Sequence, residues 1–384
     1  MSTAPGRDLR VAILGGGMVG QIHRRSAIAA GAEVIGVLGS APDKSRRLAD
    51  DWGVPLGFAS IEQVCDSAAD VVHVCTPNAT HLPYTLAALA AGKHVICEKP
   101  LGLTVAEAEQ MTRAADAAGL IGAVPFTYRY QPLAHEIRAR HLAGEFGAWN
   151  LIHGSYLQDW LLSPSSTNWR VDPVANGRSR AFADIGSHWC DLMEWISGER
   201  IAQLTATFSI ALPERYETAA PAFSGLTGSG PLRPVTTEDS AIVSFKTANG
   251  VVGSVTISQV AAGHKNRLWL ELDGAEASAI FDGESPEKVW LGRPEGASIL
   301  FRDPLVGSPD QRRLSIMPAG HAQGFAQGFD LFVADAYTAI RGEEPAGLPR
   351  FADGLRSMRI VDAAVAAAAS QNWTTVVSAN DDAR

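Results

Sequence analysis

The sequence predicts two domains: a doubly wound parallel α/β domain, followed by an α+β domain built on a mainly antiparallel open sheet. Short apolar runs alternate with helical stretches through the first third of the chain, as in parallel sheets. A glycine cluster closes the first apolar run. After about Phe126 the pattern changes to strands of alternating polarity, with a hairpin signal at Ala248-Asn249-Gly250. The 384 residues are enough to give each domain its own core.

The first domain, expected over residues 1–125, is a Rossmann-type alternation. Strands are predicted at Val11–Leu14, Glu33–Leu38, Ala69–Cys75, His94–Cys97 and Leu120–Pro125. Helices are predicted at Met18–Ala30, Lys44–Trp52, Leu82–Ala91 and Thr104–Ala118. Right-handed crossovers bring the carboxyl ends of such strands to one edge of the sheet, where ligands bind.

The second domain is expected over residues 126–384, with its C-terminal helix as a candidate for packing back on the first domain. Helices are predicted at 133–142, 187–197, 324–341 and 351–369. Strands are predicted at 150–157, 203–212, 240–245, 250–259, 267–273, 277–281 and 374–377. Between them, Pro213 to Asp239 forms a long connection rich in Gly, Pro and Thr, and loops of that length are usually functional or mobile.

Composition excludes several classes of protein. The net charge is −9, with no basic surface of the kind that binds nucleic acid. The four cysteines stand singly rather than in metal-binding pairs. No apolar run reaches the length of a membrane span, and the first residues lack the apolar stretch of a signal peptide. A cytoplasmic protein without membrane or nucleic-acid partners is expected.

The glycine cluster predicts a dinucleotide site. Gly15-Gly16-Gly17-Met18-Val19-Gly20 fits GxGxxG between a strand and a helix, which is the context that this pattern requires. Gly15 permits the tight turn, Gly17 lets a pyrophosphate approach the backbone, and Gly20 lets the helix pack closely. The N–H groups of the first helical turn, from Met18 and Val19, would receive the phosphates. The alternative is a glycine-rich turn with no ligand.

The end of the second strand bears on the choice between NAD and NADP. An acid usually follows about 20 residues after the glycines and binds the ribose hydroxyls. Here Gly39 occupies that place, and Ser40 and Lys44 follow. A hydroxyl and a cation without the repelling carboxylate favour NADP slightly. NAD remains a near-even alternative, because other contacts could bind it.

Three further segments carry a resemblance to a known family. Thr76-Pro77-Asn78-Ala79-Thr80-His81 and Glu98-Lys99-Pro100 follow predicted strands, and Asp184-Ile185-Gly186-Ser187-His188 opens a helix in the second domain. In this order, after the glycine loop, they resemble the glucose–fructose oxidoreductase/inositol dehydrogenase/rhizopine catabolism (Gfo/Idh/MocA) family. The resemblance covers nearly the whole chain. Tyr156–Trp160 and Asn168–Arg170 look most like levoglucosan dehydrogenase-like members, which oxidise a hexoside at C3.

The resemblance implies catalytic roles for Lys99, Asp184 and His188, which would also contact the substrate. The residues themselves agree with these roles. Asp184 and His188 are four residues apart and so share a helix face. Histidine can accept a hydroxyl proton near neutral pH, and a lysine ammonium can stabilise the alkoxide. Each has a plainer alternative: Lys99 as a surface charge, Asp184 as a helix cap, and His188 with Asp191 and His81 as a metal site, although no metal is expected.

The family also implies softer assignments for cofactor and substrate. The cofactor contacts beyond the glycine loop are expected at Thr76, Pro77, Asn78, His81, Glu98, Lys99, Trp169 and Arg170. The sugar contacts are expected at Tyr128, Gln158 and Asp159. The aromatic residues nearby are equally consistent with ordinary sheet packing. Family members are commonly dimers or tetramers joined through the second-domain sheet, so a homodimer or homotetramer is expected.

Four functions are therefore compared. The favoured one is an NAD(P)-dependent dehydrogenase that takes a hydride from a ring hydroxyl of a sugar, anhydrosugar, glycoside or cyclic polyol. The alternatives on the same fold are an inositol dehydrogenase and a glycoside-cleaving enzyme that retains its NAD. A non-catalytic sensor would tolerate loss of Lys99, Asp184 and His188, and all three are present.

Overall fold

The computed structural model describes residues 8–166, 168–218 and 229–378. Its strands are β1 (Arg10–Leu14), β2 (Glu33–Leu38), β3 (Leu56–Phe58), β4 (Val71–Val74), β5 (His94–Cys97), β6 (Gly122–Ala123), β7 (Trp149–Leu157), β8 (Ile201–Ser209), β9 (Glu214–Thr218), β10 (Ser229–Pro234), β11 (Ser240–Thr247), β12 (Val252–Ser258), β13 (Arg267–Gly274), β14 (Ser278–Asp282), β15 (Lys288–Arg293), β16 (Gly296–Phe301) and β17 (Thr374–Thr375).

The helices are α1 (Met18–Ala29), α2 (Pro42–Trp52), α3 (Ile61–Asp66), α4 (His81–Ala90), α5 (Val105–Ala118), α6 (Pro132–Leu142), α7 (Pro173–Asn176), α8 (Ser187–Ser197), α9 (Pro309–Leu314), α10 (Phe325–Ile340) and α11 (Phe351–Ser370). Their ends follow local sequence signals. In α5, for example, the Thr104 side chain accepts a hydrogen bond from the Glu107 N–H, and Gly119 ends the helix in the left-handed region. Within the described ranges, none of these helices combines the length and apolarity needed to cross a membrane.

The chain divides into two compact units. Unit 1 contains the residues up to Thr127 together with Phe325–Leu355, and unit 2 contains Tyr128–Gly324 and the residues from Arg356 onward. Helix α10 thus lies with the first unit, where it packs on α1. The Asp330 carboxylate accepts hydrogen bonds from Ser26 at 2.5 Å and from Arg25 at 2.9 Å. These contacts join segments about 300 residues apart in sequence.

Unit 1 is built on the doubly wound sheet that the sequence predicts. Its six strands pair in parallel in the order β3-β2-β1-β4-β5-β6. The strand order reverses between β1 and β4, and the carboxyl ends on either side of that point form the ligand-binding edge of such sheets. The residues Val11–Leu14 of β1 are fully buried, as expected of a central parallel strand.

Unit 2 is built on a mainly antiparallel sheet, which also confirms the prediction. Nine strands follow the order β16-β15-β14-β13-β7-β12-β11-β8-β17, and β7 pairs with β12 in parallel. The strands alternate in burial: in β11, Val243 and Phe245 are buried whereas Ile242 is 57% exposed. The buried face forms one core with Trp189 and Phe182, which lie in and just before α8.

Some elements differ from the predicted pattern. The connection from Pro213 to Asp239 contains two antiparallel strands, β9 and β10, while residues 219–228 of it lie outside the described part of the chain. The β15–β16 hairpin was not predicted, since β16 is exposed along most of its length and shows little alternation. The short elements β3 and α3 were also missed. Three strand residues give too short a pattern to detect.

Candidate functional site

The glycine loop has the geometry of a phosphate cradle. Gly15 adopts φ +102°, and a Cβ there would lie 2.6 Å from the Cys75 carbonyl oxygen. A Cβ on Gly20 would lie 1.9 Å from the Gly15 carbonyl oxygen, so α1 begins directly against the loop. At Gly17, by contrast, an added Cβ meets nothing within 4 Å. Gly15 and Gly20 are therefore required by the fold, whereas the space over Gly17 is open and fits a bound dinucleotide phosphate.

The end of β2 leaves limited room for a side chain at position 39. The Gly39 N–H donates a 2.8 Å hydrogen bond to the Ser45 hydroxyl, and a Cβ on Gly39 would approach the Ser45 backbone nitrogen to 3.1 Å. Helix α2 thus crowds this position. Lys44 reaches back to Ser40, with the ammonium 3.2 Å from the hydroxyl oxygen. The loop keeps contact with this strand end, because the Gly15 N–H donates to the Leu38 carbonyl oxygen at 2.8 Å.

The His81 ring faces the interior and supports the segment after β4. His81 is fully buried, and its ring nitrogens lie 2.9 Å and 3.0 Å from the carbonyl oxygens of Thr76 and Pro100. Asn78 is also buried, at 2% exposure. The ring therefore ties the segment after β4 to the segment after β5. That arrangement makes His81 a support for the ligand-binding edge and removes it as a metal ligand.

Glu98 and Lys99 follow β5 at this same edge. Lys99 is half-buried. The Glu98 carboxylate lies 3.0 Å from Nε2 of His23 and accepts the Lys99 backbone N–H at 3.2 Å. Burial raises the pKa of Glu98, but the hydrogen bond and charge of His23 and the charge of Lys99 outweigh it, so the pKa falls below its usual value. Glu98 is therefore an ionised acceptor beside Lys99 at neutral pH.

Asp184 and His188 lie at a π-helical turn in unit 2. The turn spans Phe182–Gly186 and continues directly into α8. Asp184 is thus inside a helical segment, and the plainer alternative that it serves as a helix N-cap is wrong. Such π-helical turns are frequent at functional sites.

The Asp184 carboxylate is fixed by two neighbours from other elements. Gln259, fully buried after β12, donates from Nε2 to Oδ2 at 2.8 Å. Nε of Arg170 lies 3.8 Å from Oδ1, and the Arg170 guanidinium stacks over Trp169. Gln259 restricts the rotation of the carboxylate, while Arg170 places a positive charge beside it. In unit 2, Arg170 therefore lies beside Asp184.

Two tyrosines pack near His188 in a closed hydrogen-bond ring. The Tyr128 ring meets the His188 ring edge to face at 5.4 Å. Asn266 donates to the Tyr128 hydroxyl at 2.8 Å, and the Tyr156 hydroxyl donates to Asn266 Oδ1 at 2.7 Å, while the two hydroxyls are 2.5 Å apart. Burial raises the pKa of both tyrosines. They are therefore neutral hydroxyls at physiological pH.

Gln158 extends this network, whereas Asp159 does not. The Gln158 amide donates to Asn266 at 2.8 Å and accepts from the Trp160 indole at 2.8 Å. Asp159 instead pairs with Lys265 at 2.6 Å and accepts the Gly263 N–H. The Lys265 hydrogen bond lowers the pKa of Asp159.

Asp191, one turn after His188, is held by an arginine. Its carboxylate forms a two-point ion pair with Arg129, with Nε 2.9 Å from Oδ2. Both side chains are buried. Removing one partner of such a pair leaves a buried charge and is strongly destabilising. Asp191 therefore has a structural role in unit 2.

Among the described residues, one group of side chains has the spacing of metal ligands. His153 on β7 and Glu271 and Asp273 on β13 place three ligand atoms within 4.8 Å of one another. These side chains also form weak ion pairs at 3.5 Å and 3.7 Å. These three side chains lie on the face of the sheet opposite to the core, and none of them belongs to the Asp184–His188 segment.

Comparison with known proteins identifies the family. Residues 9–126 match the model of the oxidoreductase family with an NAD-binding Rossmann fold, and residues 134–280 match the GFO/IDH/MocA C-terminal domain. The chain is 30% identical to levoglucosan dehydrogenase of Pseudarthrobacter phenanthrenivorans, an alignment that covers 96% of this chain and 98% of that protein. It is 22% identical to inositol 2-dehydrogenase of Rhizobium meliloti over 96% of this chain and 99% of that protein.

The chain belongs to the Gfo/Idh/MocA family. Solved structures agree: levoglucosan dehydrogenase in complex with NADH and L-sorbose matches with a TM-score of 0.87 at 28% identity, covering 96% of this chain and 99% of that chain. An inositol dehydrogenase homologue from Azotobacter vinelandii, complexed with NAD+, matches with a TM-score of 0.83 at 26% identity, covering 97% and 99%. The protein is an NAD-binding oxidoreductase of this family.

Sequence reasoning missed three residues that support the site of this Gfo/Idh/MocA protein. Gln259 holds Asp184, Asn266 joins the two tyrosines, and His23 binds Glu98. None belongs to a local motif. Gln259 and Asn266 follow or precede strands as ordinary polar residues, so the sequence offers no signal for their contacts.

Proposed function

We propose that the protein oxidises a ring hydroxyl of a sugar, anhydrosugar, glycoside or cyclic polyol, with NAD or NADP as hydride acceptor. The observation that carries the proposal is the open space over Gly17 at the edge that also carries Lys99. The phosphate cradle follows β1 and the half-buried lysine follows β5, on either side of β4 at the carboxyl edge of the parallel sheet. These are the parts that a nicotinamide-dependent reaction requires.

The cofactor, when bound, supplies the nicotinamide that accepts the hydride. The glycine loop and the first turn of α1 would hold its pyrophosphate, and the segments at Thr76–Asn78 and Glu98 would flank it. NADP is slightly favoured over NAD. Ser40 and Lys44 are exposed and mutually hydrogen-bonded at the end of β2, and they offer a hydroxyl and a cation for a 2′-phosphate.

Three side chains of this chain handle the proton and the charge of the substrate hydroxyl. His188 accepts the proton from the hydroxyl oxygen onto its imidazole. Lys99 Nζ stabilises the negative charge that develops on that oxygen. Asp184, held by Gln259, orients the hydroxyl or the imidazole. The division of work between Lys99 and His188 follows the family resemblance, and a double-mutant cycle tests it.

The unit 2 residues near His188 suit a carbohydrate. Tyr128 and Tyr156 are neutral hydroxyls, and Gln158 adds an amide to the same network. Aromatic faces with fixed polar groups bind sugars well, since they offer apolar contact and directed hydrogen bonds. The likeness to levoglucosan dehydrogenase supports a hexoside or anhydrosugar oxidised at C3 as the first substrate to test.

A substrate screen tests the proposal. The purified protein is mixed with NAD or NADP and with hexoses, anhydrosugars, glycosides and inositols, and reduced nicotinamide is followed by absorbance. Reduced cofactor is expected with at least one of these classes, at a rate about 10²–10⁴-fold lower for the Lys99→Ala variant. Failure of all four classes with both cofactors would refute the proposed substrate range.

Two alternatives share this fold. An inositol dehydrogenase, supported by the inositol 2-dehydrogenase relatives, would reduce cofactor on inositols and not on hexosides. A glycoside-cleaving enzyme would release the aglycone with no net reduced cofactor, because it returns the hydride to the product. Chromatography of the products beside the absorbance measurement separates all three activities.

We also propose that a second copy of the chain covers the outer face of the unit 2 sheet, giving a homodimer or homotetramer. Ile242, Val252 and Ile299 are 47–57% exposed at strand positions that alternate with the core. Exposed apolar positions spread over one sheet face are typical of association surfaces. Ile242→Lys should lower the molar mass measured by light scattering, whereas Ile28→Lys on α1, an equally exposed isoleucine, should not. A monomeric wild type would refute this proposal.

A further inference from the structure

A buried chain of four polar side chains in unit 1 has no part in the chemistry described so far. His23 on α1 contacts Glu98 with Nε2 at 3.0 Å and contacts Nδ1 of His73, on β4, with Nδ1 at 2.9 Å. Nε2 of His73 then lies 3.0 Å from the hydroxyl of Tyr337 on α10. His23, His73 and Tyr337 are all fully buried. The chain therefore links α1, β4, α10 and the segment after β5, and it reaches water at its Glu98 end, where 14% of the side chain is exposed.

The direction of these hydrogen bonds follows from the chemistry of the end groups. An ionised carboxylate only accepts, so His23 donates to Glu98 from Nε2. If His23 carries a single N–H, Nδ1 of His23 accepts from Nδ1 of His73. His73 then has only its Nε2 lone pair left, which accepts the Tyr337 hydroxyl proton. Each donor in the chain thus points towards Glu98.

Burial supports a neutral His73 in this arrangement. Desolvation lowers the pKa of His73 well below its usual value. Burial raises the pKa of Tyr337, which keeps its proton. The edge of the Phe329 ring packs on His23 at 4.8 Å and adds to the apolar surroundings. The competing arrangement has a doubly protonated His23 that donates to both neighbours and reverses the other two bonds.

The chain ends at the backbone of a proposed catalytic residue. The Glu98 oxygen that does not face His23 accepts the Lys99 N–H at 3.2 Å. A carboxylate is planar, so the bond from His23 to one oxygen fixes where the other oxygen lies. The backbone at Lys99 is therefore held through Glu98 by His23.

We propose that His23, His73 and Tyr337 are positioning residues that lock Glu98 as an ionised acceptor and so hold the backbone at Lys99 in its working orientation. This inference rests on the role of Lys99 in the proposed function. If the network served only to stabilise unit 1, variants that keep the hydrogen bond to Glu98 and variants that lose it would have the same kcat.

Two substitutions of His23 make that distinction. In His23→Gln the side-chain amide reaches the place of Nε2 and still donates to Glu98, whereas in His23→Asn it reaches only the place of Nδ1. Both variants lose a buried ring, so their loss of thermal stability should be similar. We expect kcat to fall about tenfold or more in His23→Asn and clearly less in His23→Gln, with KM changing little in either. Equal kcat values in two folded variants would overturn the proposal.

Histidine nitrogen NMR on the wild-type protein tests the same chain without activity. We expect His23 to carry a proton on Nε2, with ring signals assigned through bonds to the backbone of the wild-type protein. His23 as the Nδ1–H tautomer, which has no Nε2–H to donate to Glu98, would overturn the proposal even if neither His23 variant folds.

The Lys99→Ala variant distinguishes a failure of the proposed function from a failure of the inference about His23. If Lys99→Ala retains full kcat, the proposed role of Lys99 fails, and the inference drawn from it fails as well, whatever the tautomers. If Lys99→Ala is inactive while His23→Asn and His23→Gln have equal kcat, the proposed function stands and only this inference is refuted.

Discussion

Substitution of Gly17 by alanine separates the cofactor's requirement for glycine from that of the fold. Gly17 has an extended backbone with φ −71°, and its added Cβ meets nothing within 4 Å. We therefore expect the free energy of unfolding to change by no more than about 1 kcal/mol. A bound pyrophosphate would meet the methyl group at hydrogen-bond distance from the backbone. Loss of one charge-assisted hydrogen bond, about 1.5–3 kcal/mol, corresponds to roughly a 10- to 100-fold weaker affinity.

Gly20→Ala is the matched control. Its Cβ would lie 1.9 Å from the Gly15 carbonyl oxygen, so either α1 or the loop must move by more than about 1 Å. Overpacking of this kind costs about 1–3 kcal/mol. Gly20→Ala should therefore lower the melting temperature of the cofactor-free protein, while Gly17→Ala should not.

Two measurements decide the comparison: thermal unfolding without cofactor, and titration with NADH or NADPH followed by nicotinamide fluorescence. Gly17→Val should abolish binding with the fold retained. Unchanged cofactor affinity in Gly17→Ala and Gly17→Val would refute the phosphate cradle. A large loss of stability in Gly17→Ala would refute the statement that its surroundings are open.

Three other predictions concern the cofactor preference, the acid–base groups and the acid limb of stability. Lys44→Ala should weaken the binding of NADP more than the binding of NAD. Gly39→Asp should shift the ratio of kcat/KM for NADP to kcat/KM for NAD towards NAD. Unchanged ratios in steady-state assays would contradict the assigned 2′-phosphate site. His188→Ala should lower kcat about 10²–10⁴-fold and remove a limb from the pH profile of kcat/KM. Lys99→Ala should lower kcat by a comparable factor. The activation free energy of the Lys99→Ala/His188→Ala double variant should rise by less than the sum of the two single increases, and fully additive increases would place the two groups in separate steps. The folded pKa of Glu98 lies below its usual value of 4.5, so its contribution to stability is complete above about pH 4.5 and is lost as the pH falls through the folded pKa. The melting temperature of Glu98→Gln should therefore depend less on pH in that acidic range than the melting temperature of the wild type. The same pH dependence in calorimetry for both proteins would contradict this prediction.

Much of the fold could be predicted because local patterns specify it. The strands β2 and β5 have the predicted limits, since short apolar runs bounded by polar or glycine residues leave little choice. The place of α10 in unit 1 could not be predicted, because it depends on contacts such as Ser26–Asp330 across 304 residues. The two-stranded β9–β10 sheet lies within a stretch whose Gly and Pro content indicates a loop.

The candidate site was predictable only where its residues fall in motifs. The glycine loop and the Asp184–His188 spacing are local, and the structure gives each the expected element. The partners that fix them are not local: Gln259 is 75 residues from Asp184, and Asn266 is 138 residues from Tyr128. Such contacts depend on sheet register, which no single sequence reveals. The chemical roles of Lys99, Asp184 and His188 stay predictions.

Isotope transfer from the substrate tests the central claim most directly. The sugar identified by the screen is prepared with deuterium on the carbon that bears the reacting hydroxyl, and the reduced cofactor is analysed by mass spectrometry after one turnover. Hydride transfer from that carbon predicts one deuterium in the reduced nicotinamide for each sugar oxidised. Reduced cofactor without deuterium, or consumption of the sugar with no reduced cofactor released, would contradict it.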